Sequence, residues 1–250
     1  MTQAVYVYGV VAAGEAPQLD TDGVAGCAVR TIAHDELCAL VSDLDSTTLT
    51  AARAVRAHWR VLEAAGERAT VVPARFGTVL ASDDAVRDDL LTANADGLSA
   101  MLRELAGRVQ LRVKGTYDEE RLLRDVVAAS PQIAALRRRV LGRPGAAGYY
   151  DRIRLGEAVA GEVARRRETD AQRARRQLEP LAVATRVEEL GAPDAAFDLS
   201  FLVERATLDA FGGRVAALRD ELGDRVTVRY VGPMPPFSFA DAELAPAGAR

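Results

Sequence analysis

Hydrophobic and polar residues follow two different strand patterns in this chain. Residues 5–11 are apolar on both faces, which predicts a strand in the centre of a sheet. Residues 108–114 alternate between polar and apolar side chains, which is typical of a strand with one buried and one solvated face. Val55, Trp59 and Leu62 recur at helical spacing, and so predict a helix that follows the first strands.

The predicted elements form two successive domains. The first is an N-terminal α+β domain over residues 1–106, and the second covers residues 107–240, followed by a disordered tail at 241–250. In the second domain the elements follow the order βαββαβ, when its central helices are counted as one crossover. That order is ferredoxin-like, modified here by extra helices, and predicts a four-stranded sheet in the spatial order 4-1-3-2.

The strands of the second domain have one apolar and one polar face by residue parity. Phe197 and Phe201 share the apolar face, and we expect helices over about 150–179 and 206–222 to cover it. The other face carries both signs of charge, which predicts ion pairs between neighbouring strands. Its members by parity are Arg108, Gln110, Arg112, Lys114, Asp198, Ser200, Glu204, Arg225, Thr227 and Arg229.

Composition narrows the class of partner. The polar sheet face lacks the stacked aromatics that RNA-binding modules of this topology use, and the net charge of −4 also argues against nucleic acid. No stretch approaches the ~20 apolar residues that would span a membrane. The N-terminus lacks the basic start of a signal peptide, and two cysteines do not make a disulfide framework. We therefore expect a cytoplasmic protein.

The sequence offers little equipment for catalysis. Metal sites need clustered ligands, and His34, His58, Cys27 and Cys38 do not make a convincing set. The sequence contains neither a nucleophile elbow nor a phosphate-binding loop. His58 is predicted to lie on a helix surface, and the arginine clusters of the long helix to be solvated or paired with neighbouring glutamates. We expect no catalytic residues, no metal and no cofactor.

The segment 229–240, RYVGPMPPFSFA, ends the last predicted strand in an unusual way. Its prolines remove backbone donors, so we expect the strand to end at Val231. Residues 232–240, termed the hook below, allow two interpretations. The hook is either an internal clamp that lays its two phenylalanines between the two halves of the protein, or a displayed segment that grips a partner. Burial of the phenylalanines favours the clamp.

Four segments, taken in order, resemble the gas vesicle accessory proteins of the F/L family. They are VYVYGV (5–10), VVPARFGTVL (71–80), GRPGAAGYYDR (142–152) and GPMPPFSFA (232–240). The second and fourth are the specific ones, and the similarity extends over nearly the whole chain. Met234 and Phe237 stand where the family usually has tryptophan and often tyrosine.

This resemblance implies a non-enzymatic, minor component of gas vesicles that binds the hydrophobic shell protein and other accessory proteins, and helps to nucleate assembly or to prevent shell aggregation. The alternatives are a small-molecule-binding regulatory module of ferredoxin-like fold and an undetected enzyme that works with carboxylates. In the ARFG turn we expect Arg75 to pair between domains and Gly77 to take a positive φ. The candidate structural or interaction residues are Arg75, Phe76, Gly77, Pro233, Pro235, Pro236, Phe237 and Phe239.

Overall fold

The computed structural model describes residues 4–44, 51–142 and 145–240, which form two compact units. The first unit contains the described residues up to Gln110 and those from Gly232 onward, and the second is Leu111–Val231. The hook therefore belongs to the same unit as the N-terminal strands. The predicted limits of the domains stay a prediction, and the predicted tail lies outside the described residues.

The first unit is built on an antiparallel sheet with its longest strand in the middle. Strand β1 pairs with β3 on one side and with both β4 and β5 on the other, and β2 pairs with β3. Almost every side chain of β1 is buried, as its two apolar faces predicted. The strands are β1 (Ala4–Ala12), β2 (Arg30–His34), β3 (Leu37–Leu44), β4 (Val72–Pro73) and β5 (Val79–Leu80).

The helices of the first unit are α1 (Ala51–Gly66), α2 (Asp83–Ala85) and α3 (Ala95–Leu105). After Ser82, α2 continues as a π-helix over residues 86–92, which ends before α3 begins. The side chain of Asn94 explains the break, because its Nδ2 donates to the carbonyl of Leu90 at 2.8 Å. In a continuous α-helix that carbonyl would accept from a backbone N–H instead.

The second sheet has the predicted strand order. It runs β7 (Ala184–Val187), β8 (Ala195–Glu204), β6 (Arg108–Tyr117) and β9 (Val226–Met234), which is the spatial order 4-1-3-2. The predicted end of the last strand was wrong, because β9 continues through Pro233. The peptide bond before Pro233 is cis. A proline is tolerated here since β9 is an edge strand, where one side of the backbone needs no partner strand.

The helices of the second unit bury the apolar sheet face. Helices α6 and α7 pack on the phenylalanines of β8, and the ring centroids of Phe201 and Phe211 lie 5.2 Å apart. Phe197 and Phe201 are buried, which confirms the parity prediction. The helices are α4 (Glu119–Ala129), α5 (Pro131–Gly142), α6 (Tyr149–Leu178) and α7 (Leu208–Leu222).

The polar sheet face carries the predicted ion pairs in part. Asp198 accepts from Arg112 at 2.7 and 2.9 Å and lies 3.1 Å from the ammonium of Lys114. The face is less solvated than its pattern predicted, because Asp198 and Gln110 are both buried. Arg225 was also placed wrongly. It lies in the turn before β9 and reaches Asp170 of α6, at 3.6 Å, on the side that the helices cover.

Candidate interaction site on the first helix

Two segments that are distant in sequence lie against consecutive residues of α1. The ARFG turn, residues 74–77, connects β4 to β5 and contacts His58. The hook, residues 232–240, packs beside Trp59. Since these are the two most specific segments of the family resemblance, we take the two segments, with the α1 residues that they contact, as the candidate interaction site.

The ARFG turn is held by backbone hydrogen bonds. The N–H and the hydroxyl of Thr78 both donate to the carbonyl of Arg75, at 3.1 and 2.8 Å. Gly77 has a φ of +88°, as predicted, and its N–H donates to the hydroxyl of Tyr6 at 3.1 Å. A side chain at Gly77 would strain this conformation, so glycine fixes the turn above β1.

His58 is buried beneath the turn, and its predicted position on the helix surface was wrong. It is 1% exposed, and its Nδ1 lies 3.0 Å from the hydroxyl of Tyr6. We assign the proton of this bond to Tyr6, because Tyr6 already accepts from Gly77. His58 faces the core together with Ala54, Val61, Leu62 and Ala65.

Burial shifts the pKa of both polar groups away from neutrality. Desolvation raises the pKa of Tyr6 to about 12, although the N–H of Gly77 opposes part of the change. Desolvation lowers the pKa of His58 to about 4, and the backbone of Ala74 partly offsets this effect. No described group meets full hydrogen-bond geometry at His58 Nε2. Both side chains are therefore neutral near pH 7.

Phe76 is the most exposed aromatic side chain of this site. Its ring is 46% exposed and makes edge contacts with His58 and Tyr6, at centroid distances of 5.7 and 6.4 Å. Arg75 is exposed, and its pairing between domains stays a prediction. The turn thus presents an apolar ring beside a positive charge.

The hook folds back on itself through short-range bonds. Pro233 is exposed, whereas Pro235 and Pro236 are buried. The N–H of Phe237 donates to the carbonyl of Pro235 at 2.8 Å, and the N–H of Phe239 donates to the carbonyl of Pro236 at 3.0 Å. Phe237 and Phe239 are both partly buried by this compact path.

Two further contacts hold the hook to the first unit. The side chain of Gln110 donates to the hydroxyl of Ser238 at 3.0 Å and accepts from its backbone N–H at 2.8 Å. Pro235 packs on the end of α1, where a methyl group on Gly66 would come within 3.2 Å of its ring. Phe237 packs against the core of this unit. The prediction that Phe237 and Phe239 lie between the two halves of the protein stays a prediction.

The exposed part of this site offers apolar contact area and one positive charge. Its buried polar groups, Tyr6 and His58, are neutral near pH 7, and its exposed groups are the ring of Phe76 and the guanidinium of Arg75. Such a surface can bury apolar area against a partner. In the described part of the chain, no helix is both long and apolar enough to cross a bilayer.

Comparison with known proteins places the whole chain in one group. The family model described as "Gas vesicle synthesis protein GvpL/GvpF" matches residues 4–241. Gas vesicle protein F of Streptomyces sp. (strain CB03234) is 32% identical over 243 residues, which cover 95% of this chain and 100% of that protein. Gas vesicle protein F2 of Halobacterium salinarum is 29% identical over 255 residues, with 98% of each chain covered.

Solved structures agree on the fold. The crystal structure of GvpF from Anabaena sp. PCC7120 matches with a TM-score of 0.82 at 23% identity, covering 95% of this chain and 98% of that one. GvpF from Microcystis aeruginosa matches with a TM-score of 0.77 at 23% identity, covering 96% and 99%. With the family model matching almost from end to end, this chain belongs to the GvpL/GvpF family of gas vesicle synthesis proteins.

Proposed function

We propose that this chain is a minor component of gas vesicles that binds their hydrophobic shell protein, and that it helps to nucleate assembly or keeps shell subunits from aggregating. Membership of the GvpL/GvpF family gives it an accessory role in gas vesicle formation. The proposal adds that the partner is the shell protein, and that the chain assists its assembly or keeps it from aggregating. It also includes contact with other accessory proteins and a place in the cytoplasm, beside the vesicle.

One observation carries the proposal: two of the segments that resemble the family expose aromatic rings. Phe76 of the ARFG turn is 46% exposed, and Tyr149 and Tyr150 of the GYYDR segment are 56% and 77% exposed. Exposed apolar groups of this size mark sites of protein contact when they are grouped. A protein that shields a hydrophobic subunit must offer such area, whereas small-molecule sites are concave.

We also propose a structural role for the hook and a fold type for the second domain. The hook is a fold element first, because Phe237 packs on Trp59 and Ser238 is bonded twice to Gln110. It would then affect shell binding only indirectly, by loosening the domain arrangement. The second domain is a modified ferredoxin-like domain, a proposal supported by its strand order.

Co-expression with the shell protein tests the proposed partner. The affinity-tagged chain is purified from cells that also make the shell protein, and the recovered shell protein is quantified per mole of tagged chain. An unrelated tagged acidic protein of similar size is the control. We expect recovery well above that control. Recovery at the control level, with the tagged chain soluble and folded, would contradict the proposed function.

A further inference from the structure

Described residues near the end of α5 and the start of α6 are joined by hydrogen bonds. Arg139 near the end of α5 donates to Asp151 in the first turn of α6, with 2.8 Å between nitrogen and oxygen. The carboxylate of Asp151 is almost fully buried. Arg152 donates to the carbonyl of Gly145 at 3.0 Å, which ties Gly145 to α6. The start of α6 is therefore held against α5 by an ion pair whose carboxylate is buried.

Four large apolar side chains project from this end into solvent. Leu141 is 73% exposed, Tyr149 56%, Tyr150 77% and Ile153 42%. Tyr149, Tyr150 and Ile153 share one face of α6 by helical spacing, and the two tyrosine rings meet edge to face with centroids 5.6 Å apart. We call these four residues the tip patch.

The fold does not account for the tip patch. An amphipathic helix normally turns its apolar face inward. At the start of α6 the arrangement is reversed, because Asp151 is buried while Tyr149, Tyr150 and Ile153 are exposed. The solvated rings contribute little to the core. They would be buried only by contact with another molecule.

The charge around the tip patch is opposite to that of the whole chain. Over residues 131–142 and 145–157 there are five arginines, and only Asp151 and Glu157 are acidic. Four of those arginines, Arg137, Arg138, Arg152 and Arg154, are exposed, and the guanidinium of Arg139 is also half exposed. The complete chain has a net charge of −4. A basic rim around apolar rings complements an apolar surface flanked by carboxylates.

We propose that the tip patch is the surface that binds the shell protein, through an apolar segment of that protein flanked by carboxylates. This inference rests on the proposed function and adds the place and the chemistry of contact. Tyrosine and arginine are among the side chains that contribute most to protein interfaces. Tyrosine buries a large area at low cost in side-chain freedom. The rings would supply the apolar contact, and the arginines would orient the bound segment through its carboxylates.

Two variants of the full-length chain test this inference in the co-expression pull-down. Tyr149→Ser with Tyr150→Ser removes the rings, and Arg138→Glu with Arg154→Glu reverses two charges of the rim. The matched controls are Val187→Ser, an exposed apolar residue on β7, and Arg214→Glu, an exposed arginine on α7. We expect each tip variant to recover about tenfold less shell protein, and the controls to match the wild-type chain.

Each result has one interpretation. Thermal melting of every variant should match the wild-type chain, because the changed side chains are exposed. If the wild-type chain recovers shell protein and both tip variants recover as much, the tip patch is not the binding surface, although the proposed function stands. If the wild-type chain recovers none, the proposed function itself is contradicted. The tyrosine variant could lose self-association in sedimentation and yet keep shell binding. In that case the tip patch would bind a second copy of this chain, and the inference would be overturned.

Discussion

The ring of Phe237 lies on the ring of Trp59, with 3.9 Å between their centroids and 43° between their planes. Trp59 belongs to α1, and Phe237 belongs to the hook near the other end of the sequence. This contact joins the hook to the first helix within one unit. It gives the hook a structural role that does not depend on a partner.

Loss of either ring should destabilise the first unit. We expect Phe237→Ala to lower the free energy of unfolding by about 2 kcal/mol, less than the ~3–5 kcal/mol of a fully buried phenylalanine, because the ring is only partly buried. In a double-mutant cycle with Trp59→Ala, the coupling energy should be about 0.5–1.5 kcal/mol.

Chemical denaturation of the four proteins of that cycle provides the measurement. Tyr150→Ala is the control, since an exposed ring should change the unfolding free energy by less than about 0.5 kcal/mol. Additive effects of Phe237→Ala and Trp59→Ala, with no coupling energy, would show that the ring contact contributes nothing to stability.

Acid should weaken the first unit through His58. Its folded pKa of about 4 lies below the ordinary value of 6.5, so between these values the unfolded chain binds a proton that the folded chain does not. Stability is therefore complete above pH 6.5 and declines as the pH falls toward 4, by about 3 kcal/mol if His58 acts alone.

Urea denaturation between pH 4 and 7 checks this dependence. His58→Gln should remove most of the slope between pH 6.5 and 4. A wild-type slope that survives in His58→Gln would assign the acid sensitivity to other groups.

Replacement by alanine should have opposite effects on stability at Gly77 of the ARFG turn and at Gly97 of α3. Gly77→Ala should destabilise the protein by about 1–2 kcal/mol, because Gly77 has a φ of +88° that alanine adopts poorly. Gly97→Ala, in the exposed part of α3 with open space around its Cα, should stabilise it by up to about 1 kcal/mol. Thermal melting distinguishes the two, and a neutral Gly77→Ala would contradict the argument for the turn.

Periodicity predicted the sheets better than the first helix. The alternation of 108–114 and the burial of Phe197 and Phe201 came from a period of two, which a strand preserves over its whole length. In α1 the large residues Val55 and Trp59 suggested the wrong inward face. The buried face is Ala54, His58, Val61, Leu62 and Ala65, and its small alanines gave a weak signal.

Other features depended on tertiary contacts that no local pattern contains. His58 is neutral and buried because Tyr6, from β1, approaches its Nδ1. Pro233 continues β9 because that strand lies at the sheet edge. Gln110 belongs to the polar parity of β6, yet it is buried because it binds Ser238 of the hook. The motif segments themselves were visible in sequence, but their common contact with α1 was not.

The solubility of the shell protein tests the central claim most directly. The shell protein is expressed alone, with this chain, and with its Tyr149→Ser, Tyr150→Ser variant at matched levels, and its soluble fraction is measured after centrifugation. We expect this chain to raise the soluble fraction in proportion to its own amount, and the variant to raise it far less. A shell protein that sediments equally in all three cases, while this chain remains folded and soluble, would contradict the account.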